Sequence, residues 1–596
     1  MVVDYNTLAF ACIIIATLLR FILIYFNWPM TNSDEGNMGV LARHVAYNGE
    51  WPIFFYGLPY LGPVEGYLAA PLFHLFGPSV FTLRLGLLPF YPLFLVCMYY
   101  LTRRLYNQKF ALFIVLLLCI GSDETISRQI KAVGEYPETI FFAAFISLLI
   151  VWLVQTVHTI EVQRRTSWKR SLIYGLLGIM IGIAIWVDML ILPVVGAGFL
   201  LLLLFCRREL WSQSGISLVL GMIIGAFPLV IYNVTAPFDQ NSLIVLYNLH
   251  LSNGAQPHTF LQQVLGTIGI SLPDVMNFNP MCIQDVATLL NGKQTACAIA
   301  QFSWGTGYLV IYGIALITTA IVVWRAWSDT GHWRHIESLA VRATVVRDCC
   351  RLMLLISAAG TMLAYVTSPN PATVPTPTSR YLTCLLIALP AVLWPLWNGL
   401  RTSLKTVHWP LSMARLSKLV QASVLLLFLV VSGVGTYRTF QDIPTAQNFY
   451  TAQNDMVQHL LDIGATRFYS EYWTCNRLIF QSDEKLICSS LSEHLTPGFD
   501  RYLPYRAAVR ATRNPAYVFP KNSPQQAAMD ARIQAHTLDQ AYQRQEFHDY
   551  VIYFVPQKRL TDASSHVTIR HLPDENYQVT SQRTLIVSAL QRCYRI

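Results

Sequence analysis

The chain has 596 residues, 54% of them hydrophobic and only 13% charged, about half the charge content of ordinary soluble domains. This composition excludes a soluble protein. The formal net charge of +9 requires no nucleic acid, because basic loops held against anionic lipid account for it.

Eleven apolar runs of near-spanning length follow one another, at about 8–26, 80–101, 110–122, 138–155, 172–187, 189–206, 216–235, 306–324, 352–367, 381–398 and 419–437. The first has no basic segment ahead of it, only Asp4, and no small-residue cleavage site behind it. It is therefore expected to stay as a helix rather than be removed as a signal peptide. Arg20 lies inside this run. A charge there costs at least about 2.5 kcal/mol unless paired or snorkelling, so Arg20 is either a substrate-binding candidate or a snorkelling side chain.

The stretch TNSDEGNMGVLARHVAYNGEWPIFFYG, Thr31 to Gly57, follows the first run. Ser33 is the expected N-cap, which puts Asp34 and Glu35 in the first helical turn, where the helix dipole favours carboxylates. After it the chain is aromatic, apolar and broken by Gly and Pro, and ends in a helical piece too short to span. Such a first outer loop, 27–79, lies on the outer leaflet with aromatics at headgroup depth. Within it, Glu65 is a candidate for lining an acceptor groove or for capping its helix, and His44 could join Asp34 and Glu35 around a divalent cation.

Basic residues alternate along the later loops. Arg103, Arg104 and Lys109, then Lys169 and Arg170, then Arg207 and Arg208, then Arg342 and Arg347, then Arg401 and Lys418 mark the cytoplasmic side. The intervening loops carry few: Arg43, then Arg128 and Lys131, then Lys293, then Arg380. With eleven crossings the N-terminus is expected in the cytoplasm and the C-terminus outside, so Asp34 and Glu35 face the extracytoplasmic side. Arg380, at a helix start, and Lys131 and Arg128 are the outer-face cations available for an anionic group.

Cysteines fit this orientation. Cys282 and Cys297 fall in the long outer loop 236–305, and Cys475 and Cys488 in the tail. Each pair could close a short disulfide loop in an oxidising compartment, with Cys593 left over. No CxxC or His/Cys spacing suggests structural zinc. The tail, 438–596, turns polar and alternates helix and strand patterns: Ala446 to Ile463 helical, Thr466 to Trp473 and KLICSS extended, QQAAMDARIQAHTLDQAYQRQ helical and DYVIYFV extended. An extracytoplasmic α/β domain is expected after a transmembrane domain over 1–437.

The segment SDEGNMGVLARHVAYNGEWPIFFYG followed by GPVEGYLAAPLFHLFGPSVFTLRL, after a first helix containing Arg20, resembles the start of membrane glycosyltransferases of the GT-C fold. The likeness is to the branch of protein O-mannosyltransferases and lipid A aminoarabinose transferases, especially bacterial members, and is strongest over 8–110. It continues loosely through GEYPETI, SRYLTCLLIALP and the tail's YWTCNRLIFQSDEKLICSS. No DxD motif stands in the second outer loop, DETISRQIKAVGEYP. The resemblance implies an α-helical polytopic GT-C-like enzyme taking a sugar from a polyprenyl-phosphate donor to an extracytoplasmic acceptor, which would be a lipid, glycan or protein. It makes Asp34 the general base, with inversion at the sugar, and Glu35 a positioning group or cation ligand. A lipid phosphate is already a good leaving group, so the reaction needs one base and positive groups rather than a glycosidase-like acid. Two other classes stay open, a transporter or flippase of lipid-linked sugars and a non-catalytic envelope-assembly protein.

Overall fold

The computed structural model describes residues 4–134, 136–161, 168–252, 258–278, 281–282, 295–330, 339–401, 411–535 and 542–556. The apolar runs become helices because, inside lipid, every backbone N–H and C=O must be satisfied within its own segment. Among the described residues seven helical segments are long and apolar enough to cross a membrane: Tyr5–Tyr25, Val80–Leu105, Tyr136–Val157, Trp168–Val187, Ala296–Ser328, Val341–Val366 and Arg415–Asp462. Three bent helix pairs are long and apolar enough only when taken together, Gln108–Cys119 with Asp123–Ile130 at 89°, Gln213–Gly225 with Phe227–Thr235 at 66°, and Pro375–Leu382 with Leu385–Arg401 at 75°, each a broken span or a re-entrant loop. Met189–Phe205 is a shorter apolar helix. Each of the eleven expected runs falls on one of these segments, and the chain is a multi-pass helical membrane protein.

The bends depart from the expectation of straight spans, and each has a local cause. Ser122 caps a new helix by accepting from Thr125 N, Pro228 stands in the first turn of the second half-helix, and the 3-10 turn Ser379–Leu382 interrupts the third pair.

The loop expected on the outer side, 27–79, contains α2 (Ser33–Arg43) and α3 (Val64–Phe76), after α1 (Tyr5–Tyr25) and before α4 (Val80–Leu87). The cap of α2 is one residue earlier than expected. Asn32, extended at φ −136° and ψ −179°, accepts from Glu35 N, while the Ser33 hydroxyl accepts from Asn476 N at 3.1 Å.

The last apolar segment continues into the tail. Arg415–Asp462 covers 48 residues, helical except for a one-residue turn at Asp442, so the tail grows out of a helix rather than a loop. It then forms a sheet of β1 (Arg467–Ser470), β2 (Ile487–Ser490), β3 (Ala516–Pro520), β4 (Gln543–Phe547) and β5 (Tyr550–Phe554). The order is β2-β1-β3-β5-β4. β1 runs parallel to β2 and β3, with helices Tyr472–Gln481 and Leu503–Arg510 as crossovers, and β5 runs antiparallel to β3 and β4. The long polar helix expected in the tail is corrected: helix Pro524–Gln534 ends early and Gln543–Phe547 is a strand. Residues 536–541 and Cys593 lie outside the described residues. Both expected disulfides are present, Cys282–Cys297 and Cys475–Cys488.

One hydrophobic cluster joins the first outer loop to the tail. Met38, Leu41, Phe55 and Phe73 pack with Leu460, Phe468, Phe480 and Val518, all at most 3% exposed. The contact between α2 and the tail helix Tyr472–Gln481 is very close: a Cβ on Gly36 would stand 2.5 Å from the backbone of Asn476 and Arg477, and one on Gly39 2.5 Å from the Phe480 ring. Glycine is required at both positions for the two helices to touch.

Candidate active site

At the N-terminus of α2 the two carboxylates separate. Glu35 turns inward and is fully buried with Arg84 of α4, which donates Nε to Oε1 and Nη2 to Oε2, both at 2.7 Å. Ala132 N adds a third donor at 3.1 Å. Burial would raise this carboxyl, but the Arg84 guanidinium outweighs it and holds Glu35 below the ordinary range. Lys131 stands in the same field. Burial lowers its pKa, and the charge of Glu35 resists.

Asp34 faces the tail instead. Its Oδ1 accepts from Arg501 Nη2 at 2.6 Å and from the Tyr472 hydroxyl. The Tyr472 oxygen in turn accepts from Arg501 Nε at 2.7 Å. Burial works against the Arg501 charge, yet Asp34 and Tyr472 beside it raise its pKa, so the guanidinium stays charged. Its side chain is 8% exposed, packed near the Phe55 ring with 5.0 Å to the centroid, and its buried Nη1 has no hydrogen-bond partner among the described residues.

Arg501 also lines a cavity of about 720 Å³. Arg380 lines it too, from the turn Ser379–Leu382, with its guanidinium 5.4 Å from the Tyr136 and Tyr381 ring centroids. Most of the remaining wall is apolar, including Leu58, Leu61, Leu190, Leu192 and Leu246. Asp188 reaches the wall as well, while its Oδ1 accepts from Leu190 N. Two guanidinium groups against one carboxylate, on a mostly apolar wall, suit an anionic head on an apolar tail.

The other sequence candidates lie around this site rather than in the cavity wall. Arg128 donates to Asp274 at 2.9 Å and to the Ser379 hydroxyl at 2.7 Å, so it braces the turn that carries Arg380. Glu65 accepts from Gly134 N at 2.7 Å. Burial and then the adjacent Glu138 carboxyl push its pKa well up. Arg20 is consumed inside the helical core by Gln129, by Cys119 O at 2.6 Å, and by the Tyr91 ring 4.4 Å beneath it. It neither snorkels nor reaches the cavity.

His44 is 2% exposed and contacts Tyr56 OH at 2.9 Å and Glu484 at 3.0 Å, joining the first outer loop to the tail. Asp34, Glu35 and His44 thus each engage different partners, and among the described residues no three His, Cys, Asp or Glu side chains converge on a point that would hold a metal ion. The cation site sketched from sequence does not fit this arrangement.

Sequence reasoning missed Arg501 and Tyr472. They reach Asp34 across 467 and 438 residues, a separation no local pattern bridges. The available hints were the YWTCNRLIF stretch of the resemblance and the cysteine pair that ties helix Tyr472–Gln481 to β2.

No protein-family model and no curated protein sequence matches the chain. It is similar to the structure of ArnT from Cupriavidus metallidurans bound to undecaprenyl phosphate, at 13% identity and a TM-score of 0.48, over 91% of this chain and 97% of that one. A second likeness is to the archaeal oligosaccharyltransferase AglB from Archaeoglobus fulgidus in complex with an inhibitory peptide and a dolichol-phosphate, at 12% identity and a TM-score of 0.47, over 93% of this chain and 75% of that one. A third is to the Archaeoglobus fulgidus oligosaccharyltransferase in complex with zinc and sulfate, at 12% identity and a TM-score of 0.46, over 85% and 68%.

Proposed function

We propose that this chain is a membrane glycosyltransferase of the GT-C type, moving a sugar from a polyprenyl-phosphate donor to an acceptor outside the cytoplasm. The observation that carries the reading is Arg501, which holds the proposed base Asp34 through one nitrogen while lining, with Arg380, an otherwise largely apolar cavity. Arg380 and Arg501 take the phosphate, and the leucine-rich wall takes the first isoprene units. Arg128 positions the Arg380 turn and Lys131 adds positive potential from behind Asp34 and Glu35.

In the reaction the acceptor oxygen attacks the anomeric carbon and its proton passes to Asp34. The bond from that carbon to the phosphate oxygen breaks, and the electron pair leaves on the phosphate, where the two guanidiniums meet the growing charge. Attack from the face opposite the phosphate inverts the sugar. Glu35, bound on both oxygens by Arg84, sets the direction of α2 and so of Asp34. The tail supplies Arg501 and Tyr472 and belongs to the catalytic unit.

The test is the purified full-length protein in detergent with a panel of labelled polyprenyl-phosphate sugars and extracted envelope lipids, glycans and peptides as acceptors. Covalent transfer from one donor is expected, with release of the polyprenyl phosphate. Movement of intact lipid-linked sugar across a vesicle bilayer with no covalent product would replace this reading with a transporter.

A further inference from the structure

Arg501 presents three donor nitrogens, and among the described residues two are engaged, Nη2 with Asp34 and Nε with Tyr472, while Nη1 is buried without a partner on a side chain that lines the cavity. One cation therefore stands between the proposed base and the proposed phosphate. From this we infer that Arg501 is shared, so that the negative charge of Asp34 opposes retention of the lipid phosphate and loss of that charge strengthens it. The inference rests on the glycosyl-transfer reading and adds to it a coupling between the two ends of the reaction.

The physical reasoning is electrostatic. While Asp34 is ionised, part of the Arg501 charge is spent on it, and an anion in the cavity meets a neutralised guanidinium with a carboxylate behind it. When Asp34 takes the acceptor's proton it becomes neutral, and Arg501 is released to the phosphate at the moment the departing oxygen gains its charge. An interaction that strengthens only as the bond breaks stabilises the transition state and not the ground state. Tyr472 has the geometry for this hand-over. Its hydroxyl donates to Asp34 and accepts from Arg501, so it holds the two in register without adding charge.

Asp34→Asn imitates the protonated base. The account predicts that the folded variant, although inactive, binds undecaprenyl phosphate in detergent micelles at least about fivefold more tightly than wild type, the lower end of ordinary coupling between sites. Asp34→Ala gives a second reading should the Asn variant not fold. The gain should vanish when either substitution is combined with Arg501→Gln, because the coupling runs through that guanidinium. Equal or weaker binding by both Asp34 variants overturns the inference. A gain that persists in the Arg501→Gln background also overturns it, since the effect would then bypass Arg501. Wild-type protein that binds no undecaprenyl phosphate would instead remove the donor reading itself, and this inference with it.

Discussion

Two neighbouring carboxylates at one helix start do different things because successive helical residues point about 100° apart. Glu35 turns into the core and Asp34 toward the tail, and their environments predict opposite tolerance to neutralisation. Glu35→Gln strands Arg84 in a fully buried site, which typically costs 3 to 5 kcal/mol. Glu65, equally buried, faces the Glu138 carboxyl instead of a guanidinium, and burial and then Glu138 push its pKa well up. Glu65→Gln should leave thermal stability in detergent nearly unchanged while Glu35→Gln lowers it by several degrees or prevents folding; equal loss in both would contradict the raised pKa assigned to Glu65. The Asp-Glu pair and its place in the first turn were legible in the sequence, but the division of labour was not. Arg84 sits among apolar residues of α4 with no mark to distinguish it from a snorkelling arginine, and Arg20, which looked functional as a charge within an apolar run, turned out to be satisfied by Gln129, a carbonyl and a ring.

At the scale of elements, the contact between α2 and the helix Tyr472–Gln481 decides whether Arg501 reaches Asp34. Gly36→Ala should separate the two helices and cost both stability and transfer, whereas Gly196→Ala, where an added Cβ meets nothing within 4 Å, should do neither; thermal unfolding and turnover of the two variants check this. The same joint has a pH signature. Burial would raise the Glu484 carboxyl, but hydrogen bonds from His44 and Tyr505 and the nearby charges of His44 and Arg43 pull it down to about 2. A carboxyl depressed in the folded state stabilises the joint above its unfolded pKa of about 4.3, and that contribution, on the order of 3 kcal/mol, is lost as pH falls toward 2. Protection factors across the helix Tyr472–Gln481, taken from hydrogen exchange relative to the intrinsic rate at each pH, should therefore fall between pH 4.5 and 2, and Glu484→Gln should flatten the change; a wild-type profile of protection already flat would remove the assignment. Helix and strand periodicity matches Ile443–Asp462, β2, β5 and, apart from Tyr472 and Trp473 which begin a helix, β1, whereas the first half of β4, Gln543 to Gln545, continues a polar helical pattern and only pairing with β5, a non-local partner, makes it a strand.

Across the whole molecule, hydropathy was enough to locate the spans, since lipid demands apolar length whatever the packing, but it is blind to bends. The run read over 110–122 crosses only as far as Cys119 before turning through 89°, and that turn swings Arg128 under the Arg380 segment. The basic loops predict the orientation: accessibility labels near residues 50 and 500 should react from outside and those near 208 from the cytoplasm. A label near 500 that reacts only from the cytoplasm would reverse the assignment and with it the outer-face site. The central claim is that Asp34 takes the acceptor's proton during sugar transfer. Its most direct test is the transfer rate of folded Asp34→Asn protein with a labelled polyprenyl-phosphate sugar that the wild type uses. The account predicts a fall of about 10² to 10⁴ with little change in thermal stability, and turnover at the wild-type rate would contradict it.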